Sequence, residues 1–131
     1  MMNVWGMTDI GLVRRENQDS YAIHTDPENG FTVCVVCDGM GGPGGGKLAS
    51  QMAVETFLSA CKKNLRRNMS AREIREVAEA AVAKANSAIY RRACSDGLLG
   101  MGTTLVSAVA WDRQALLSNV GDSRAYVLRT G

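Results

Sequence analysis

Residues 31–37, FTVCVVC, most restrict what this chain can become. Seven apolar or β-branched residues run without a polar break into Asp38 and then into the glycine-rich loop GMGGPGGG. Such a run reads as a strand buried on both faces, and a strand that ends in a carboxylate and glycines delivers that carboxylate to a sheet edge. From Lys47 the period changes. Val54, Phe57, Leu58, Cys61 and Leu65 follow the spacing of one helical stripe, and the spacing predicts a helix from Lys47 to about Asn68. Ser70 and Glu73 then form a capping-box pattern ahead of a second stripe, in which Ile74, Val77, Ala81, Val82, Ala85 and Ile89 recur.

Gly97 and Gly100 end the second helix, and three further β-like runs follow, over 103–111, 114–120 and 125–129. Two short extended segments, 3–8 and 21–24, precede the first strong strand. Strands, then two helices joined by a short link, then hairpin-connected strands give an α+β fold in which an antiparallel helix pair covers one face of a mainly antiparallel sheet.

The 131 residues, 46% hydrophobic and 21% charged, suit a single domain. A net charge of +2 is too small for a general nucleic-acid binder, and Lys62, Lys63, Arg66 and Arg67 read as a solvated helix end. No apolar run nears the roughly 20 residues that cross a bilayer, and the N-terminal MMNVWGMTD lacks the features of a secretory signal. The expectation is a cytoplasmic protein with no nucleic-acid or membrane partner. Its four cysteines are expected to be reduced. Cys34 and Cys37, three apart on a strand, face opposite sides and cannot chelate one ion.

Asp38 and the Gly39 carbonyl can together offer hard oxygen ligands to Mg2+ or Mn2+. Read alone, Asp38-Gly39 is also a common turn pair. The same loop, from Gly41 to Lys47, reproduces a Walker A spacing that could cradle a nucleotide phosphate, but Leu48 stands where that motif places a hydroxyl. Upstream, Arg14 and Asp19 set a guanidinium and a carboxylate five positions apart, suited to gripping a phosphoryl group and to holding a metal or its water. Downstream, Asp122 sits in the tight turn Gly121-Asp122-Ser123.

Four segments, GLVRRENQDS, CDGMGGPGGGKLAS, GMGTTLVSAVAW and NVGDSRAYV, stand in the order and rough spacing of the bacterial metal-dependent protein phosphatases. The chain resembles the N-terminal half of the catalytic domain of that PPM, or type 2C, family. The resemblance implies part of a four-layer α/β/β/α sandwich. It also implies hydrolysis of phosphoserine or phosphothreonine in proteins, with two or three Mn2+ or Mg2+ ions in the complete enzyme. Carried over, Arg14 grips the phosphate, Asp38 is shared by two metals, Gly39 offers its carbonyl, Asp19 acts through water, and Asp122 belongs to a third metal site.

Gln18 stands where many relatives have Glu, and Met40 where many eukaryotic relatives have a His able to protonate the leaving group. The family's later aspartates have no counterpart here. The resemblance therefore implies a single, truncated catalytic domain, incomplete and inactive alone, whose substrates are phosphoproteins of the kind that a bacterial serine/threonine kinase makes. Its exposed strand edges are expected to favour self-association and its glycine loop to be mobile. The alternatives are a non-catalytic module that binds a phosphopeptide or partner through Arg14, and nucleotide binding at the glycine loop.

Overall fold

A computed structural model of the protein describes residues 2–130. The elements are β1 (Asp19–Asp26), β2 (Phe31–Met40), α1 (Gly45–Asn64), α2 (Ala71–Asp96), β3 (Gly102–Thr103), β4 (Leu105–Trp111) and β5 (Gln114–Val120). The order across the sheet is β1-β2-β4-β5, every pairing is antiparallel, and β3 pairs with the end of β2. This is the α+β arrangement expected, and it supplies one sheet layer and one helix layer.

Local chemistry sets the helix ends. The Ser70 hydroxyl accepts the Glu73 N–H at 3.1 Å while the Glu73 carboxylate accepts the Ser70 N–H at 3.3 Å, completing the capping box. Gly97, at φ 68°, takes the left-handed turn that stops α2. Helix α1 begins two residues earlier than expected and ends at Asn64, which frees Arg67. Arg67 is exposed as expected, yet it also reaches the β1–β2 turn, where its Nε donates to the Glu28 carbonyl at 3.0 Å.

The core lies between the sheet and the helix pair. Phe57, Ile74, Val33, Val35, Val109, Cys37 and Cys61 are its largest fully buried side chains, each contributing about 1.5–3 kcal/mol where it is a large hydrophobe. Within β2 the helix-facing residues Val33, Val35 and Cys37 are buried, whereas Val36 and Asp38 on the opposite face are exposed. The expectation of a strand buried on both faces is thus corrected: only one face has a layer packed on it among the described residues. Cys34 and Cys37 do fall on opposite faces, and all four cysteines are free.

Several strand boundaries also differ, and β1 and β2 extend beyond the expected 21–24 and 31–37. Residues 3–8 and 125–129 form no strand, because alternating apolar residues make a ladder only where a sheet edge stands opposite them. The run over 103–111 is broken at Thr104, which leaves the ladder for reasons described below.

One buried polar atom lacks a partner. Ser107 is 3% exposed on β4 and its hydroxyl makes no hydrogen bond among the described residues. An orphaned buried hydroxyl costs about 1–3 kcal/mol, so Ser107→Ala is expected to leave stability unchanged or raise it by up to about 1 kcal/mol in a urea melt. A clear loss of stability would mean that Ser107 has a partner.

Candidate metal and phosphate site

Antiparallel pairing of β1 with β2 sets Asp19 directly opposite Asp38. Like charges in that relation repel, and nothing in the sheet itself relieves them. A cleft of about 930 Å³ opens at this end of the sheet, and Arg14, Asp19, Asp38, Gly39, Thr104 and Asp122 all line it. Three segments far apart in sequence therefore bring together every site residue expected from the sequence, and a fourth adds Thr104.

The electrostatics agree with the geometry. The cleft walls draw water away from Asp38, and this raises its pKa; the charge of Asp19, a hydrogen bond with Asp19 and the charge of Asp122 push in the same direction, while Arg14 opposes them. Such a convergence of carboxylate oxygens is the donor set that a hard divalent cation takes. Among the described residues, no three His, Cys, Asp or Glu side chains close round one point as a full metal cage would.

The main chain around Asp38 is held from both sides. Its N–H donates to the Thr104 hydroxyl at 3.0 Å, its carbonyl accepts the Thr104 N–H at 2.9 Å, and the Gly39 N–H donates to the Gln18 carbonyl at 3.1 Å. Gly39 has to be glycine: a methyl group there would overlap the Gly46 carbonyl oxygen in the first turn of α1. That close approach folds the glycine loop back against the strand it leaves.

The loop is anchored instead of hanging free. Gln18 Nε2 donates to the Gly42 carbonyl at 3.1 Å, a bond that the carboxylate of a Glu could not donate, and the Gly44 N–H donates to the Glu16 carboxylate at 3.3 Å. Gln18 is therefore a loop anchor as well as a lost carboxylate. The same bonds bear on the Walker-like spacing. Glu16 takes an amide that a phosphate would need, and the Lys47 ammonium donates to the Asp19 carbonyl at 2.7 Å. Lys47 ties the start of β1 to the start of α1.

Thr104, Glu16 and the bracing role of Lys47 were not legible beforehand. The Thr-Thr pair in GMGTTLVS gave the only local hint, because the bond from Asp38 to Thr104 spans 66 positions.

The pattern of the family described as Protein phosphatase 2C matches residues 14–131. The serine/threonine phosphatase stp of Listeria monocytogenes serovar 1/2a is 38% identical over 123 residues, 93% of this chain and 48% of that protein. The solved structure of serine/threonine phosphatase Stp1 from Staphylococcus aureus superposes with a TM-score of 0.81 at 31% identity, covering 94% of this chain and 48% of that one. The catalytic domain of the serine/threonine protein phosphatase PstP, solved with two manganese ions, gives a TM-score of 0.67 at 31% identity over 87% of this chain and 45% of that one. The chain thus spans about half the length of the relatives it matches. It belongs to the protein phosphatase 2C family.

Proposed function

We propose that this chain supplies the N-terminal part of a single phosphatase catalytic domain that hydrolyses phosphoserine and phosphothreonine in proteins. The observation that carries the reading is the cross-strand pair Asp19–Asp38 in the same cleft as Arg14 and Asp122. Asp38 and the Gly39 carbonyl hold Mn2+ or Mg2+, Asp19 acts through water, and Asp122 serves a further ion. Bound there, two or three divalent ions supply an acidified water and neutralise charge on the phosphoryl oxygens. Arg14 orients the phosphate through its planar fork of donors, and Lys47 and Thr104 hold the two carboxylate-bearing strands still.

The substrates are phosphoproteins, and the opposing enzyme is a serine/threonine kinase. Free thiols such as Cys37 and Cys61, raised by burial to about 12 and about 11, sit comfortably in a reducing cytoplasm. No helix among the described residues is long and apolar enough to cross a membrane. The uncovered sheet face, with Val36 and Leu117 exposed, favours association with another layer or another copy.

With no complete cage among the described residues, these 131 residues alone are expected to turn over p-nitrophenyl phosphate weakly or not at all with Mn2+. A chain extended to the length of the relatives is expected to release phosphate from a phosphothreonine peptide in an Mn2+-dependent way. If the extended chain binds the phosphopeptide through Arg14 but never hydrolyses it, the non-catalytic module is the better reading.

A further inference from the structure

We infer that Thr104 is a positioning residue for the metal site: its hydroxyl clasps the Asp38 strand to the turn that carries Asp122, so that the two carboxylates are presented to one cleft. The inference rests on the metal-site reading above and adds to it a residue that touches neither metal nor phosphate.

Thr104 is 4% exposed and sits between β3 and β4, out of the ladder. Its backbone and side chain both engage Asp38, and the side chain also reaches Ser123. The N–H and the hydroxyl oxygen bracket Asp38, donating to the Asp38 carbonyl at 2.9 Å and accepting the Asp38 N–H at 3.0 Å. The same hydroxyl shares a 2.5 Å hydrogen bond with Ser123, the residue next to Asp122. A hydroxyl has one proton and two lone pairs, so it can serve Asp38 and Ser123 together.

The methyl group also contributes. Gly121, at φ 98°, passes so near Thr104 that a Cβ on it would lie 2.8 Å from the Thr104 methyl carbon. The turn before Asp122 is thereby seated on Thr104 by both ends of the side chain. Asp122 itself is exposed and makes no hydrogen bond of its own among the described residues, so its direction is set by its neighbours. The break in the strand at Thr104 follows: a residue in the ladder could not turn its side chain and amide toward the same partner.

The test follows the side-chain carboxyl 13C resonances of Asp38 and Asp122 during Mg2+ titration of a 13C-labelled chain extended to the length of its relatives. Outer partners of metal ligands typically change affinity by about 10–100-fold, so Ser123→Ala and Thr104→Val are each expected to raise the Asp122 midpoint about tenfold or more. Thr104→Ser, which keeps the hydroxyl and loses only the methyl contact, is expected to stay within about threefold of wild type at Asp38 and to shift the Asp122 midpoint less than Thr104→Val does. Ser123→Ala leaves the Asp38 bracket intact and is expected to leave the Asp38 midpoint in place, and it decides the matter if Thr104→Val fails to fold.

An Asp122 midpoint unmoved by Ser123→Ala, with or without a shift in Thr104→Val, overturns the clasp. So does an Asp122 carboxyl that ignores Mg2+ while Asp38 responds, which leaves the phosphatase reading standing. Silence at both carboxyls in the wild-type protein overturns the clasp and the metal site together.

Discussion

In a chain extended to the length of its relatives, Asp38→Ala is expected to lower phosphopeptide hydrolysis by about a thousandfold or more, equivalent to ~4 kcal/mol of transition-state stabilisation. The substitution removes the carboxylate on which three charges of the cleft act, with Asp19 and Asp122 on one side of the balance and Arg14 on the other. Arg14→Ala is expected to act differently. Losing a bidentate grip costs orientation of the phosphoryl group, on the order of a hundredfold in rate, but leaves the oxygen ligands in place. Mn2+ titration by calorimetry separates the two: Asp38→Ala should weaken binding by about tenfold or more, and Arg14→Ala by less than about threefold. Equal losses of metal affinity in the two variants would show that the division of roles is wrong.

Gly39→Ala is expected to be among the most destabilising single changes in the chain, at about 3 kcal/mol or more. The added methyl group meets the Gly46 carbonyl, which is backbone and cannot swing aside as a side chain could. Either α1 moves off the end of β2 or the strand shifts, and both loosen the core around Cys37 and Ala49. Gly42→Ala is the control. It lies in the same loop at φ 74° with open space about it, so only the left-handed backbone is strained, at about 1–2 kcal/mol. Comparable urea midpoints for the two variants would mean that the glycine loop yields where the structure has it packed.

The parts of the fold legible in the sequence are those written by short-range chemistry. The helical stripes, the Ser70–Glu73 box, the stop at Gly97 and the hairpin between β4 and β5 depend on residues a few positions apart. Where pairing depends on a distant partner, local composition predicts strands that do not form. Residues 3–8 and 125–129 have strand-like composition but no ladder, and 103–111 is interrupted because Thr104 answers to Asp38 and Ser123. The site residues were found through four motifs whose order matched a known family, and the structure gathers all of them into one cleft. The bracing contacts were hidden for the same reason as the missing strands: Lys47 meets Asp19 across 28 positions, and Gln18 meets Gly42 across 24.

The pairing of β1 with β2 has a consequence for folding fidelity. Because Asp19 stands opposite Asp38 only in the native register, the cleft exists only if that hairpin has closed correctly along its whole length. A slip of one residue reverses the faces of the strand, sending Asp38 beneath the helices and Val35 and Cys37 into water. The error would bury a charge without a partner and expose part of the core, so the misfolded hairpin is penalised twice before any ion arrives. Asp38 in this way helps to fix the register of the hairpin: the native pairing carries the Asp19–Asp38 repulsion, and the slipped one carries the larger cost of a buried, unpaired charge.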